Sequence, residues 1–144
     1  MTAEEHQKII AREHNPELRA FYELLWHLGE SQSDVARLST EGVNWTERTV
    51  SVQRGKTKVP VGIAFGTNAA AVMETLPNGV GYFRGCLGRR HSTAKHFIER
   101  LATVNSKGFS LHCCRYSWAE RAKVVGMPKR RAQRRVGTSF RFPP

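Results

Sequence analysis

Residues 16–29 carry the strongest folding signal in the chain, an amphipathic helix with a defined start and end. Pro16 suits the first turn of a helix, and Asn15 before it breaks the preceding segment. Gly29 is a typical residue at a helix C-terminus. Apolar side chains recur at helical spacing between these two ends, which predicts one face buried in a core. They belong to Leu18, Phe21, Tyr22, Leu24, Leu25 and Leu28.

The other segments predict further helices around one short antiparallel β-hairpin, which places the chain in the α+β class. Residues 49–52 and 59–63 alternate apolar and polar side chains and are separated by a short turn. Pro60 favours an edge position for the second strand, because proline cannot donate to a sheet ladder. The predicted helices cover residues 3–14, 33–38, 69–76, 93–104 and 111–122, with Pro128 able to begin one more.

Charge is divided unequally along the chain. The 144 residues carry a formal net charge of +11. Residues 1–50 hold nine acidic and five basic side chains, whereas residues 51–144 hold three acidic and eighteen basic ones. Such asymmetry indicates a polyanionic partner, of which nucleic acid is the commonest.

Several classes of protein are disfavoured. The length suits a single domain. No apolar run is long enough for a membrane span, and the polar, acidic N-terminus lacks the features of a signal peptide, so we expect a cytoplasmic protein with no membrane partner. The three cysteines are Cys86, Cys113 and Cys114, an odd number without the spacing of a zinc site or a disulfide framework. We therefore expect no metal and no cofactor, and we expect the adjacent pair to be passive helix residues.

His112 and Arg115 form the first candidate site. They lie three residues apart at the start of a predicted helix, so their side chains share one face. A helix N-terminus favours an anion, and arginine offers a planar fork of donors to two phosphate oxygens. Histidine can donate to a third oxygen or move a proton. Together the two residues could bind one phosphodiester, although the same spacing also arises by chance in helices that bind nothing.

Lys56 is the second candidate. It lies in the predicted hairpin turn, from which a lysine can reach into a groove and protonate a leaving oxygen. Most lysines in such turns serve only solubility, so this signal is weaker than the His112–Arg115 pair.

In their order along the chain, these elements resemble the catalytic domain of the tyrosine recombinases, the phage integrase family. The resemblance runs from about Pro16 to Gly137. It is most specific in residues 110–119, Ser-Leu-His-Cys-Cys-Arg-Tyr-Ser-Trp-Ala, which are similar to the family's second signature box. Residues 28–38 are similar to the first box, where Gly-x-Arg-x-x-Glu is usual, and residues 54–57 match the hairpin that carries the catalytic lysine.

The resemblance implies DNA recombination and integration, the chemistry of mobile elements, without a metal or other cofactor. In the family a tyrosine attacks a phosphodiester, two arginines and a histidine stabilise the transition state, and a lysine protonates the 5′ oxygen. The resemblance assigns catalytic positions to Lys56, His112 and Arg115. It also implies double-stranded DNA and other recombinase protomers as partners. The candidate DNA-binding residues are Arg54, Lys58, Arg89, Arg90, Lys129, Arg130 and Arg131.

The chain also departs from the family pattern. Ser31 occupies the position of the first-box arginine, although Asp34 keeps the acidic position, and Thr138 replaces the third-box histidine. The nucleophilic tyrosine would lie beyond Pro144, and we expect no other tyrosine to be placed to serve; Tyr116 should pack in the core or line the groove.

We therefore expect a truncated or degenerate catalytic domain that is inactive alone. Its expected organisation is an N-terminal extension (1–15), the recombinase-like domain (16–137) and an irregular tail (138–144). A shifted reading frame near the end is a hypothesis for the Arg-rich residues 129–135 and the residues that follow them. One alternative is a non-catalytic DNA-binding module that regulates a complete recombinase. The other is a general basic nucleic-acid-binding protein.

Overall fold

The computed structural model describes residues 1–53, 58–77, 83, 90–103 and 110–136, with side chains throughout except at positions 53, 90–94, 103 and 133–136. The predicted α+β class is confirmed. Within the described ranges, no helix has both the length and the apolar content that a membrane crossing requires. In chain order the helices are α1 (Ala3–Arg12), α2 (Pro16–Leu28), α3 (Gln32–Ala36), α4 (Thr67–Glu74), α5 (Arg90–Thr103), α6 (Cys113–Val124) and α7 (Lys129–Val136), and the strands are β1 (Val43–Asn44), β2 (Thr49–Gln53) and β3 (Pro60–Ala64).

Helix α2 is the centre of the core and has the bounds that its sequence predicts. The Asn15 side chain accepts hydrogen bonds from the backbone N–H groups of Glu17, at 2.9 Å, and Leu18, at 3.3 Å. These bonds satisfy donors that the first turn of a helix leaves free. At the other end Gly29 adopts a left-handed conformation with φ 68°. The predicted apolar stripe is buried, and Phe21, Tyr22, Leu24 and Leu28 have no exposed surface.

The sheet is antiparallel, with strand order β1-β2-β3. The predicted hairpin is confirmed, since Val50 pairs with Ile63 and Gln53 with Pro60, and β3 is an outer strand, as Pro60 predicts. Strand β1, which the sequence analysis missed, adds two residues on the other side of β2. The turn that carries Lys56 lies outside the described residues.

Helix α1 packs on the same core as α2, because Ile9 and Ile10 are buried there. Just after α1, Glu13 lies in a buried polar contact with α5: its Oε2 is 2.9 Å from His96 Nε2 and 3.4 Å from Arg100 Nε. Burial acts to raise the pKa of Glu13, but hydrogen bonds from the Asn15 N–H and His96, together with the charges of His96 and Arg100, outweigh it and keep this pKa below its usual value. The contact ties α5 to the junction between α1 and α2.

Helix α6 packs against α2 through Trp118 and Gly29. A Cβ atom on Gly29 would overlap the indole ring of Trp118, so the two helices approach as closely as they do only because this residue lacks a side chain. Trp118 also belongs to a second apolar cluster, in which Ala119 and Ala122 of α6 contact Ala132 of α7. Trp118 therefore positions α6 on α2 and also contributes to the apolar surface on which α7 packs.

We expect Gly29→Ala to lower the free energy of unfolding by about 2–5 kcal/mol. A left-handed non-glycine residue costs roughly 1–2 kcal/mol, and overpacking against Trp118 adds about 1–3 kcal/mol. The matched control is Gly126→Ala, since Gly126 also has a positive φ, of 77°, but has open space where a Cβ would be. Urea denaturation of the two variants measures the difference, and equal losses would contradict a special role for the Gly29–Trp118 contact.

Candidate functional site

His112 and Arg115 lie at the start of α6, one helical turn apart. The backbone N–H of Cys113 donates to the carbonyl of Ser110 at 2.9 Å, so residues 110–112 form a turn that leads into the helix. The N–H of Arg115 then donates to the carbonyl of His112 at 3.1 Å. This helical geometry puts both side chains on neighbouring positions of the same face.

The two side chains differ in exposure and in charge. Arg115 is only 8% exposed, whereas His112 is exposed to solvent. Partial burial lowers the pKa of His112 below its usual 6.5, and the positive charge of Arg115 lowers it further. At neutral pH the imidazole is therefore uncharged, and the guanidinium supplies the positive charge of the pair. The site can offer an anion one fixed charge and one neutral ring nitrogen that donates or accepts a hydrogen bond.

Tyr116 borders this pair on the solvent side. Its ring meets the His112 ring edge-on, with centroids 5.5 Å apart, and it is 50% exposed, so it does not pack in the core. Tyr22, by contrast, has no exposed surface and packs on Phe97 with ring centroids 5.1 Å apart. Tyr82 lies outside the described residues. Of the two tyrosines that are described, only Tyr116 is accessible to a large substrate.

Ser31, which the sequence resemblance aligns with the first-box arginine, has a structural contact of its own. Its Oγ accepts a hydrogen bond from the backbone N–H of Asp34 at 3.2 Å and caps the N-terminus of α3. Ser31 follows Gly29 by two residues, and Gly29 contacts Trp118, which lies three residues beyond Arg115. The segment that contains Ser31 is thus tied to the helix that carries the candidate pair, and at this position it carries a small hydroxyl.

The other predicted site residues are only partly described. Lys56, Arg54, Arg89 and Thr138 lie outside the described residues, and Arg90 begins α5 with its side chain outside them. Lys58 is exposed just before β3. The part of Lys56 in the site with His112 and Arg115 therefore stays a prediction.

The basic segment predicted to bind DNA forms the first turn of α7. Lys129, Arg130 and Arg131 are exposed, while Ala132 is buried against α6. Positive side chains oppose the helix macrodipole at an N-terminus, so these charges do not stabilise α7. Because α7 packs on α6, the basic first turn of α7 and the His112–Arg115 pair belong to one packed unit.

The sequence analysis missed a cleft of about 550 Å³ that lies beside His112. Its walls come from the start of α1, the end of α2 and the first half of α6, and they include Trp26, Cys113, Tyr116 and Arg121. Side chains so distant in sequence give no common pattern, and the adjacent cysteines were expected to be passive helix residues. Among the described residues, no three metal-ligating side chains lie close enough to hold an ion.

No protein-family model and no curated protein sequence matches the chain. Solved structures with the same fold do match. They include the integrase from mycobacterium phage Brujita, which is 22% identical with a TM-score of 0.79 over 96% of this chain and 49% of its own. The lambda integrase catalytic core is 17% identical, with a TM-score of 0.77 over 95% of this chain and 90% of its own. A lambda integrase fragment bound to DNA is 19% identical, with a TM-score of 0.73 over 100% of this chain and 57% of its own.

These structures confirm the fold that the resemblance implied: the chain has the architecture of the integrase and recombinase catalytic domain. It spans about half the length of the phage Brujita integrase and nearly all of the lambda catalytic core.

The charge of Arg115 predicts a measurable shift at His112. We expect Arg115→Gln to raise the His112 pKa toward 6.5, though not fully, because partial burial of the ring remains. Arg131→Gln removes the same charge from an exposed position on α7 and should leave this pKa unchanged. Titration of the ring protons by NMR measures both variants, and an unshifted His112 in Arg115→Gln would show that the two side chains do not interact.

Proposed function

We propose that this chain is a DNA-binding domain with the recombinase catalytic fold, which holds a phosphodiester at Arg115 and His112 and does not cleave DNA on its own. The observation that carries the proposal is the placement of a buried arginine beside an exposed histidine in the first turn of α6. Burial restricts the guanidinium to few conformations, so little entropy is lost when its fork donates hydrogen bonds to two phosphate oxygens.

The electrostatics of the site support an anionic ligand. The first turn of α6 contains no acidic side chain that would repel a phosphate. The backbone N–H groups of a helix N-terminus attract anions, and the Arg115 charge adds to that field. An approaching phosphate also offsets the effect of Arg115 on His112, so the bound state favours protonation of the imidazole. DNA affinity should then rise as the pH falls toward 6.

The basic turn of α7 supports a polymer rather than a small anion as the ligand. Lys129, Arg130 and Arg131 add three exposed positive charges on the helix packed against α6. They lie at the end of the helix where positive charge is unfavourable, so their charges destabilise the free helix. An anionic partner bound at this turn offsets that repulsion. A polymer with regularly spaced phosphates can contact more than one basic site on the same packed unit, whereas a small anion cannot.

The residues also support binding without strand cleavage. Ser31 leaves one of the two arginine positions of the family without a guanidinium, and Tyr22 is enclosed in the core. The members of a catalytic unit act together, so the loss of one abolishes most of the rate. A chain of this kind would occupy the DNA backbone as a binding module, alone or beside other recombinase protomers.

DNA binding tests the proposal through variants of matched charge. Contact with a charged partner contributes about 1.5–3 kcal/mol, so we expect Arg115→Ala to weaken affinity for duplex DNA by roughly 10- to 100-fold. An exposed contact contributes about 1 kcal/mol or less, so Arg130→Ala should weaken it by roughly fivefold or less. Fluorescence anisotropy over a range of salt concentrations gives the affinities and their salt dependence.

Arg115→Lys is a second variant that still tests the site if Arg115→Ala does not fold. It keeps the charge but loses the planar fork, so affinity should fall by roughly tenfold with an unchanged salt dependence. Equal losses in Arg115→Ala and Arg130→Ala would argue against a phosphate site on α6. Binding that does not depend on salt would overturn the proposal as a whole.

The absence of cleavage is tested with nicked suicide DNA substrates, on which a recombinase becomes trapped as a covalent adduct. We expect no adduct on a denaturing gel, either from the natural chain or from Ser31→Arg, because restoring one arginine does not restore the rest of the set. Tyr116→Phe is the informative control, since Tyr116 is the exposed tyrosine next to His112. An adduct that this variant loses would show that the chain cleaves DNA after all.

A further inference from the structure

The cleft beside His112 contains a thiol whose surroundings differ from those of its neighbour. Cys113 is partly exposed and lines the cleft, whereas Cys114 is buried in the core. The cleft, of about 550 Å³, falls within the size range of small-molecule sites. We propose that Cys113 is a modification site for small anionic disulfides, which enter this cleft and leave a mixed disulfide beside His112.

The anionic preference comes from Arg121, in the wall of the cleft. Glu120 also lines the cleft, but it is exposed, so solvent screens its negative charge more than the charge of the partly buried Arg121. Its guanidinium lies over the Trp26 ring, 3.7 Å from the centroid, and Nη2 donates to the Trp26 carbonyl. The other terminal nitrogen, Nη1, is buried and has no hydrogen-bond partner among the described residues. Because Nη1 is enclosed, the guanidinium attracts a carboxylate in the cleft through its positive charge and not through a hydrogen bond from this atom.

The two adjacent cysteines differ in the pKa of their thiols and therefore in reactivity. The Cys114 thiol donates a hydrogen bond to the Cys113 sulfur, which lowers the pKa of Cys113 although partial burial opposes the shift. The same bond and nearly complete burial raise the pKa of Cys114. Cys113 is therefore the member that reacts, because the thiolate is the nucleophile. Its position in the first turn of α6 favours the negative charge further.

The reaction is a thiol–disulfide exchange. The Cys113 thiolate attacks one sulfur of the small disulfide, a new S–S bond forms as the old one breaks, and the departing thiolate takes a proton from water. Cys114 does not displace the adduct with ease, because Cα atoms of adjacent residues are about 3.8 Å apart and a relaxed disulfide needs at least about 4.4 Å. The mixed disulfide therefore persists until an external thiol removes it.

An adduct at Cys113 also affects the proposed phosphate site, an effect that rests on the proposed function. Tyr116 lines the cleft and also contacts His112. A group that fills the cleft therefore crowds His112 and Arg115 sterically. The carboxylates of the adduct add negative charge near the position of the phosphate. Modification should therefore weaken DNA binding.

The site is tested by treating the Cys86→Ser chain with oxidised glutathione at pH 7.5 and following adduct formation by intact mass and peptide mapping. We expect one adduct, at Cys113, and its loss in Cys113→Ser. Cys114→Ala removes the hydrogen-bond donor and should slow the reaction by about threefold for each pH unit by which the Cys113 pKa rises. An adduct at Cys114, or none at Cys113, would overturn the proposal.

The charge preference is tested with a matched pair of variants. Arg121→Gln should slow the reaction with oxidised glutathione by roughly fivefold, the effect of one charge at short range in water. Lys129→Gln removes the same charge from exposed α7 and should have little effect. Neutral hydroxyethyl disulfide should react at similar rates with both variants. Equal slowing in both would show that only the net charge matters and would overturn the role of Arg121.

The effect on DNA is measured with the glutathionylated chain and the same chain after reduction. We expect modification to weaken binding about tenfold or more and reduction to restore it. Unchanged affinity would overturn the coupling between the cleft and the phosphate site. If the reduced chain bound no DNA, the proposed function would fail, while the mass measurements would still decide whether Cys113 is a modification site.

Discussion

The contact between Trp118 and Gly29 is the interaction on which the arrangement of the molecule depends. An indole ring lies where any other residue at position 29 would place a side chain, so α6 approaches the end of α2 closely. The same ring contributes to the cluster that holds Ala132 of α7. Because α6 carries His112 and Arg115, the placement of this one aromatic side chain fixes the candidate site relative to both the core and the basic helix.

In the candidate site the charged side chain is buried and the exposed side chain is neutral. Arg115 provides a permanent charge that is largely withdrawn from solvent. His112 provides a ring that reaches solvent and is kept neutral by partial burial and, to a smaller extent, by the charge of Arg115. A site built this way attracts an anion without presenting a loose cationic side chain.

The cleft shows how one helix can carry two kinds of chemistry. Successive positions on α6 point in directions about 100° apart, so His112 faces solvent, Cys113 faces the cleft and Cys114 faces the core. The sequence analysis expected both cysteines to be passive. That expectation agrees with the burial of Cys114, but the exposure of Cys113 and the hydrogen bond between the two thiols give Cys113 a different character.

The sequence by itself determined the local features of this protein: the bounds of α2 from Asn15 to Gly29, the hairpin with Pro60 at its edge, and the spacing of His112 and Arg115. Helix periodicity, capping and strand alternation act over a few residues and can be read directly. The tertiary structure decided which distant residues meet, namely Gly29 with Trp118, Glu13 with α5, and Trp26 and Arg121 around Cys113. Such contacts depend on the packing of whole helices, so no local pattern in the chain records them.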